Sequence, residues 1–161
     1  MNRTFRTHEG REIKNIVSYI KEYIEPYPDC EIYVGCDSQV NQRYTVYSVV
    51  IGIHKIVDGI GRGVHIVHSR ERNKKLNGDV GNIIKRLWKE VNLIVETAIY
   101  LRDNGINVND INTHVDANVN KNAVSNKIYD SAIGWLNQLG FKVEGKPYAW
   151  AATYAAGKYC Q

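Results

Sequence analysis

Glu31-Ile32-Tyr33-Val34-Gly35-Cys36-Asp37-Ser38-Gln39 is a short, mostly apolar stretch that closes on a carboxylate. Alternate residues of an extended chain share a face, so Tyr33, Gly35 and Asp37 point one way and Ile32, Val34 and Cys36 the other. Apolar residues on both sides mark a strand that is covered on both faces. Asp37 then stands where a buried strand leaves the sheet, a rigid place to hold a charge. An Asp-Ser pair also opens turns, and that plainer role competes for the same two residues. Ile111-Asn112-Thr113-His114-Val115-Asp116-Ala117-Asn118 repeats the design with a second strand ending on Asp116, which shifts the balance toward a shared site.

Around these two stretches the chain has 161 residues and an ordinary globular composition, which fits one domain. No apolar run approaches the roughly 20 residues of a membrane span, so no membrane partner is expected. The N-terminal residues carry no apolar signal region, and a cytoplasmic location is the default expectation. Cys30, Cys36 and Cys160 have neither metal-ligand spacing nor a disulfide framework and read as reduced thiols. The net charge is +4. Arg62, Arg70, Arg72, Lys74, Lys75, Lys85, Arg86 and Lys89 gather in one central segment. Such a cluster is either an electrostatic footprint for a phosphate backbone or a solvated loop followed by the polar face of a helix.

Residues 1–30 read as an amphipathic helix packed on a domain of residues 31–161. Ile13, Ile16, Val17, Ile20 and Ile24 recur at helical spacing, Thr7 is a plausible N-cap, and Pro26 with Pro28 ends the pattern. Past the Asp37 strand and a turn at 41–43, residues 44–54 form a long strand rich in β-branched and aromatic side chains. The glycines of 58–63 precede no helix and are followed by no Lys-Ser or Lys-Thr pair, so they read as a hairpin rather than a phosphate loop. A third strand covers 64–68. His65 and His68, three apart, point to opposite faces and do not share a metal. From 80 to 103 the period changes to that of a helix, with Glu90 on the border of the apolar stripe and Glu96 nearly opposite it. Glu90 either leans toward a sheet-end site or pairs with Arg86 one turn earlier. Asn104-Gly105 closes this helix, and a polar turn at 118–122 follows the Asp116 strand. Then come a helix with Ala123, Ile128, Ala132, Ile133, Trp135, Leu136 and Leu139 on its apolar side, a short strand at 141–144 and a terminal helix at 148–159.

Hairpin-linked strands followed by strand–helix–strand units predict a mixed α/β sheet covered on both faces. Should the first and fourth strands be parallel neighbours, Asp37 and Asp116 arrive side by side at the edge where ligands of open α/β sheets collect. Two adjacent carboxylates repel unless a positive charge sits between them. Their oxygens suit Mg²⁺ or Mn²⁺, and such ions support phosphodiester cleavage.

Val34-Gly35-Cys36-Asp37-Ser38-Gln39, His114-Val115-Asp116-Ala117-Asn118, Leu139-Gly140-Phe141 and Lys146-Pro147-Tyr148-Ala149-Trp150-Ala151-Ala152 together resemble the YkuK-like family of ribonuclease H-like proteins. The resemblance runs from about Tyr33 to the C-terminus. It implies a five-stranded sheet ordered 3-2-1-4-5 with helices on both faces, and a metal-dependent nuclease site. Asp37 would correspond to the acid of the first strand, Asp116 to that of the fourth and Glu90 to that of the first crossover helix. All three would be metal ligands and catalytic residues. Arg62, Arg70, Arg72, Lys74 and Lys75 would contact RNA, DNA or a hybrid. One departure stands out: active members usually add an acid or a His near the last helix, and no Asp, Glu or His follows Glu144. Ala156-Gly157 occupies that place. The expected function is thus a Mg²⁺- or Mn²⁺-dependent nuclease. A non-catalytic module that binds nucleic acid or protein through an incomplete metal site is the alternative.

Overall fold

The two Asp-ending stretches are neighbours in the computed structural model, which describes residues 1–76, 78–116 and 126–161. Among the described residues the order begins β1 (Phe5–Thr7), β2 (Glu12–Ile13), α1 (Ile16–Ile24), β3 (Glu31–Val40), β4 (Tyr44–Val57), β5 (Ile60–Lys74) and α2 (Val80–Asp103). A 3₁₀ turn (Val108–Asp110), β6 (Ile111–Val115), α3 (Asn126–Gln138) and β7 (Lys142–Glu144) come next. The chain closes with a π-helical turn (Ala151–Ala156) and α4 (Gly157–Tyr159). The polar turn expected at 118–122 and Ala123 lie outside the described residues.

The sheet is mixed and ordered β2-β1-β5-β4-β3-β6-β7. β3, β4 and β5 form an antiparallel meander, whereas β6 runs parallel to β3 and β7 parallel to β6. The parallel pairings follow from chain direction, since each crossover helix returns the chain to its starting end. The large apolar layer lies between the sheet and the helices, where Ile20 of α1, Ile94 and Leu101 of α2 and Leu136 of α3 meet Ile32, Val34 and Ile51. A smaller layer on the opposite face packs Ala151, Ala155 and Ala156 on Val50, with Tyr33, Ile66, Trp150 and Tyr159 around them.

Four expectations need correction. Among the described residues the sheet has seven strands, not five, and its order differs accordingly; the two additional strands lie beyond β5. They come from the N-terminal segment, which is not a helix from Thr7 onward. Thr7 belongs to β1 and pairs with Val67, while α1 is capped by Asn15, whose Oδ1 accepts from Ser18 N at 3.0 Å. The open edge of the long β5 supplies the backbone partners that a three-residue segment cannot provide for itself. β5 also continues well past residue 68, so Arg70, Arg72 and Lys74 sit on a strand and not on a loop. The terminal helix, finally, is shorter and wider than expected: Ala151–Ala156 is a π-helical turn, and only Gly157–Tyr159 is α-helical.

Candidate active site

Pairing between β3 and β6 ends at Cys36↔Val115. Asp37 and Asp116 are the next residue of each strand, so they leave the parallel pair at the same level and on the same face. β3 itself continues to Val40 against β4, with Asp37 opposite Ser48. Asp37 is therefore held by a hydrogen-bonded strand, not by a turn. Its Oδ1 accepts from the following backbone N–H of Ser38 at 2.8 Å. Its carbonyl oxygen accepts from Cys160 Sγ at 3.2 Å, which ties the end of the chain to the site. Burial raises the Asp37 carboxyl to about 6, and the Asp116 charge adds to the rise; the Ser38 N–H, Arg86 and Lys146 oppose it.

Glu90 comes from α2 on the opposite side of the sheet. It is buried, and Ser38 Oγ donates to its Oε1. Burial pushes its carboxyl well above the usual range, with Asp37 and Asp116 contributing and Ser38 and Arg86 opposing. An ion pair with Arg86 at i−4 is the plainer expectation for Glu90. Arg86 instead turns to the backbone and donates to the Ser38 carbonyl at 3.2 Å. Glu96, in contrast, is half exposed and lies 3.6 Å from Arg3.

Two residues that the sequence does not single out, Lys146 and Thr153, complete the site together with Gly157, which it does. Lys146 Nζ lies 2.6 Å from Asp116 Oδ1. Thr153 Oγ1 reaches the same oxygen at 3.4 Å. Gly157 faces the other carboxylate, since a Cβ placed there would come within 2.9 Å of Asp37 Oδ2. The Lys-Pro motif is visible in the sequence, but nothing local pairs Lys146 with an acid thirty residues earlier. His114 has a structural role: its Nδ1 accepts from the Ala151 N–H at 3.1 Å. Burial lowers its pKa to about 4. The neutral ring makes no ion pair with Glu144, although Nε2 lies 3.4 Å from that carboxylate without hydrogen-bond geometry.

A family model for ribonuclease H-like proteins matches residues 13–161. The chain belongs to the ribonuclease H-like family. Searches of curated proteins and of solved structures find no significant match. In this ribonuclease H-like chain the position expected to carry a late acid is Gly157, placed against Asp37 with no room for a side chain unless that carboxylate shifts. Among the described residues no three His, Cys, Asp or Glu side chains gather as a metal-binding group. The side chains at the two strand ends, Asp37 and Asp116, are oxygen donors of the type that suits a hard divalent ion such as Mg²⁺.

The basic residues divide. Register pairs Asp37 with Ser48 and Ser48 with Arg70, which sets Arg70, Arg72 and Lys74 on the Asp37 face of the sheet. Arg70 is exposed and donates to the Gln161 carbonyl at 2.7 Å, while Arg72 lies 4.8 Å over the Tyr44 ring. Lys75 follows the strand, with Nζ 3.5 Å from the Gln42 carbonyl. Arg62 does not join them: eight residues back along β5, it is roughly 26 Å away at 3.3 Å per residue. No helix is long and apolar enough to cross a membrane among the described residues.

Proposed function

We propose that this ribonuclease H-like protein is a Mg²⁺- or Mn²⁺-dependent nuclease that hydrolyses phosphodiester bonds in RNA, DNA or a hybrid. The observation that carries the proposal is the placement of Asp37 and Asp116, each one residue past the pairing of two adjacent parallel strands and on one face. The motif resemblance to the YkuK-like family supports the same assignment as a narrower affiliation. When bound, the metal would polarise the scissile phosphate and lower the pKa of an attacking water. Asp37 and Asp116 would hold it. Glu90, buried and fixed by Ser38, borders the site as its third acid. Arg70, Arg72, Lys74 and Lys75 take the backbone phosphates of the substrate and set its register. Arg62 adds a contact only for a nucleic acid long enough to span β5.

A second reading, a non-catalytic binding module, draws on the ammonium of Lys146 at Asp116 and on Gly157 in place of an acid. Cleavage assays on single-stranded, duplex, hybrid and branched substrates separate the two. For a nuclease, Asp37→Asn and Asp116→Asn each lower Mn²⁺-dependent cleavage about a hundredfold or more while backbone binding persists. Glu90→Gln costs less, about tenfold. Cleavage that survives both Asp substitutions, or excess chelator, overturns the assignment. A wild type that is inert on every substrate yet still binds nucleic acid supports the binding module.

A further inference from the structure

The missing late acid and the short Lys146–Asp116 contact occur at the same two carboxylates. Lys146 follows β7 and reaches back to Asp116 at 2.6 Å, the short end of a charge-assisted hydrogen bond. Its side chain is 38 % exposed and that of Asp116 only 16 %, so the ammonium caps the carboxylate from the solvent side. On the other flank, Gly157 lies against Asp37 Oδ2 and supplies no acid of its own. Among the described residues the remaining acid at the site is Glu90, buried and held by Ser38, and a second divalent ion would also face a resident positive charge.

We infer that Lys146 is the second cation of the site, so that the protein binds a single divalent ion and presents the Lys146 ammonium to a phosphodiester oxygen. The charges balance on this arrangement. Asp37 and Asp116 bring two negative charges and a bound phosphodiester brings one; a divalent ion and one ammonium match all three. A compact ammonium suits the place, because it is a point charge on a flexible stem that can move from carboxylate to phosphate. This inference rests on Asp37 and Asp116 as metal ligands.

Mn²⁺ titration of the metal-free full chain, read by the electron paramagnetic resonance of free Mn²⁺ without nucleic acid, tests it. The wild type binds one Mn²⁺ per chain. Lys146→Met removes the competing charge, so Mn²⁺ binds roughly tenfold tighter or a second ion enters, as expected for a unit charge a few ångströms away. Lys146→Arg keeps the wild-type stoichiometry and affinity. Lys146→Gln, polar and of similar length, repeats the Met result should Met disturb folding. On a cleavable substrate, Lys146→Met loses activity that added Mn²⁺ does not restore and Lys146→Arg does. Two Mn²⁺ per wild-type chain, or unchanged Mn²⁺ binding in both neutral variants, overturns the inference. The nuclease proposal fails separately: a chain that cleaves nothing but binds one Mn²⁺, more tightly after Lys146→Met, keeps Lys146 as resident cation and loses only the reaction.

Discussion

At the scale of single residues, the proton on Asp37 is the sensitive quantity. Its carboxyl is raised from 3.8 to about 6, chiefly by burial. A group raised in the folded state favours folding fully below its unfolded value and loses that contribution as pH rises through the folded value. Metal-free protein therefore gives up stability at Asp37 between about pH 4 and pH 6, of order 1 kcal/mol after solvent screening. Glu90, raised for the same reason, acts in the same direction. His114, lowered to about 4, acts in the opposite sense, losing stability as pH falls below the ordinary histidine range. The difference between wild type and Asp37→Asn isolates Asp37. Chemical denaturation without metal should find the variant equal or slightly weaker near pH 4, and more stable at pH 7.5. A variant that is clearly less stable at pH 7.5 would mean that Asp37 is held by partners strong enough to offset its burial.

At the scale of elements, the site depends on the C-terminal segment lying flat on the sheet. Gly35 permits this: a Cβ there would come within 2.5 Å of Ala152 N and 2.6 Å of the Ala151 carbonyl carbon. These are backbone atoms, so relief requires lifting the π-helical turn off β3. Gly35→Ala should cost about 2–3 kcal/mol in urea denaturation and loosen the hold of Thr153 and Cys160 on the two Asp residues. A cost under about 0.5 kcal/mol would show that the segment moves away freely. Much of this architecture is legible in the chain. Alternating apolar residues ending on an acid mark β3 and β6, and the change of period at residue 80 marks α2. The border position of Glu90 is readable, but its burial is not, because the hydroxyl that meets it belongs to Ser38, on a strand fifty-two residues earlier. β1 and β2 are too short to show a period, and Ile13 extends the apolar pattern of α1, so the sequence reads as helix through both. Lys146 is invisible as a site residue for the same reason as Ser38: only the fold brings it to its partner.

Across the whole molecule, the face that carries Asp37 also carries Arg70, Arg72 and Lys74. Strands lie about 4.8 Å apart, so Arg70, two strands from Asp37, is roughly 10 Å from it. Phosphates flanking a scissile bond at Asp37 fall within reach of that row. Affinity for nucleic acid should then fall steeply with salt. Replacing Arg70, Arg72, Lys74 and Lys75 by Ala should flatten the log–log slope by nearly one unit for each phosphate that is no longer neutralised. An affinity indifferent to salt and to the four substitutions would return these residues to a solvated surface.

Diffraction from crystals soaked in Mn²⁺, read for anomalous scattering, tests the metal site on which the proposed function rests. A single peak in contact with both Asp37 and Asp116 is the predicted result, with Lys146 Nζ beside it and no second peak toward Gly157. No peak between the two carboxylates at saturating Mn²⁺, or a peak held by other residues, would contradict the account.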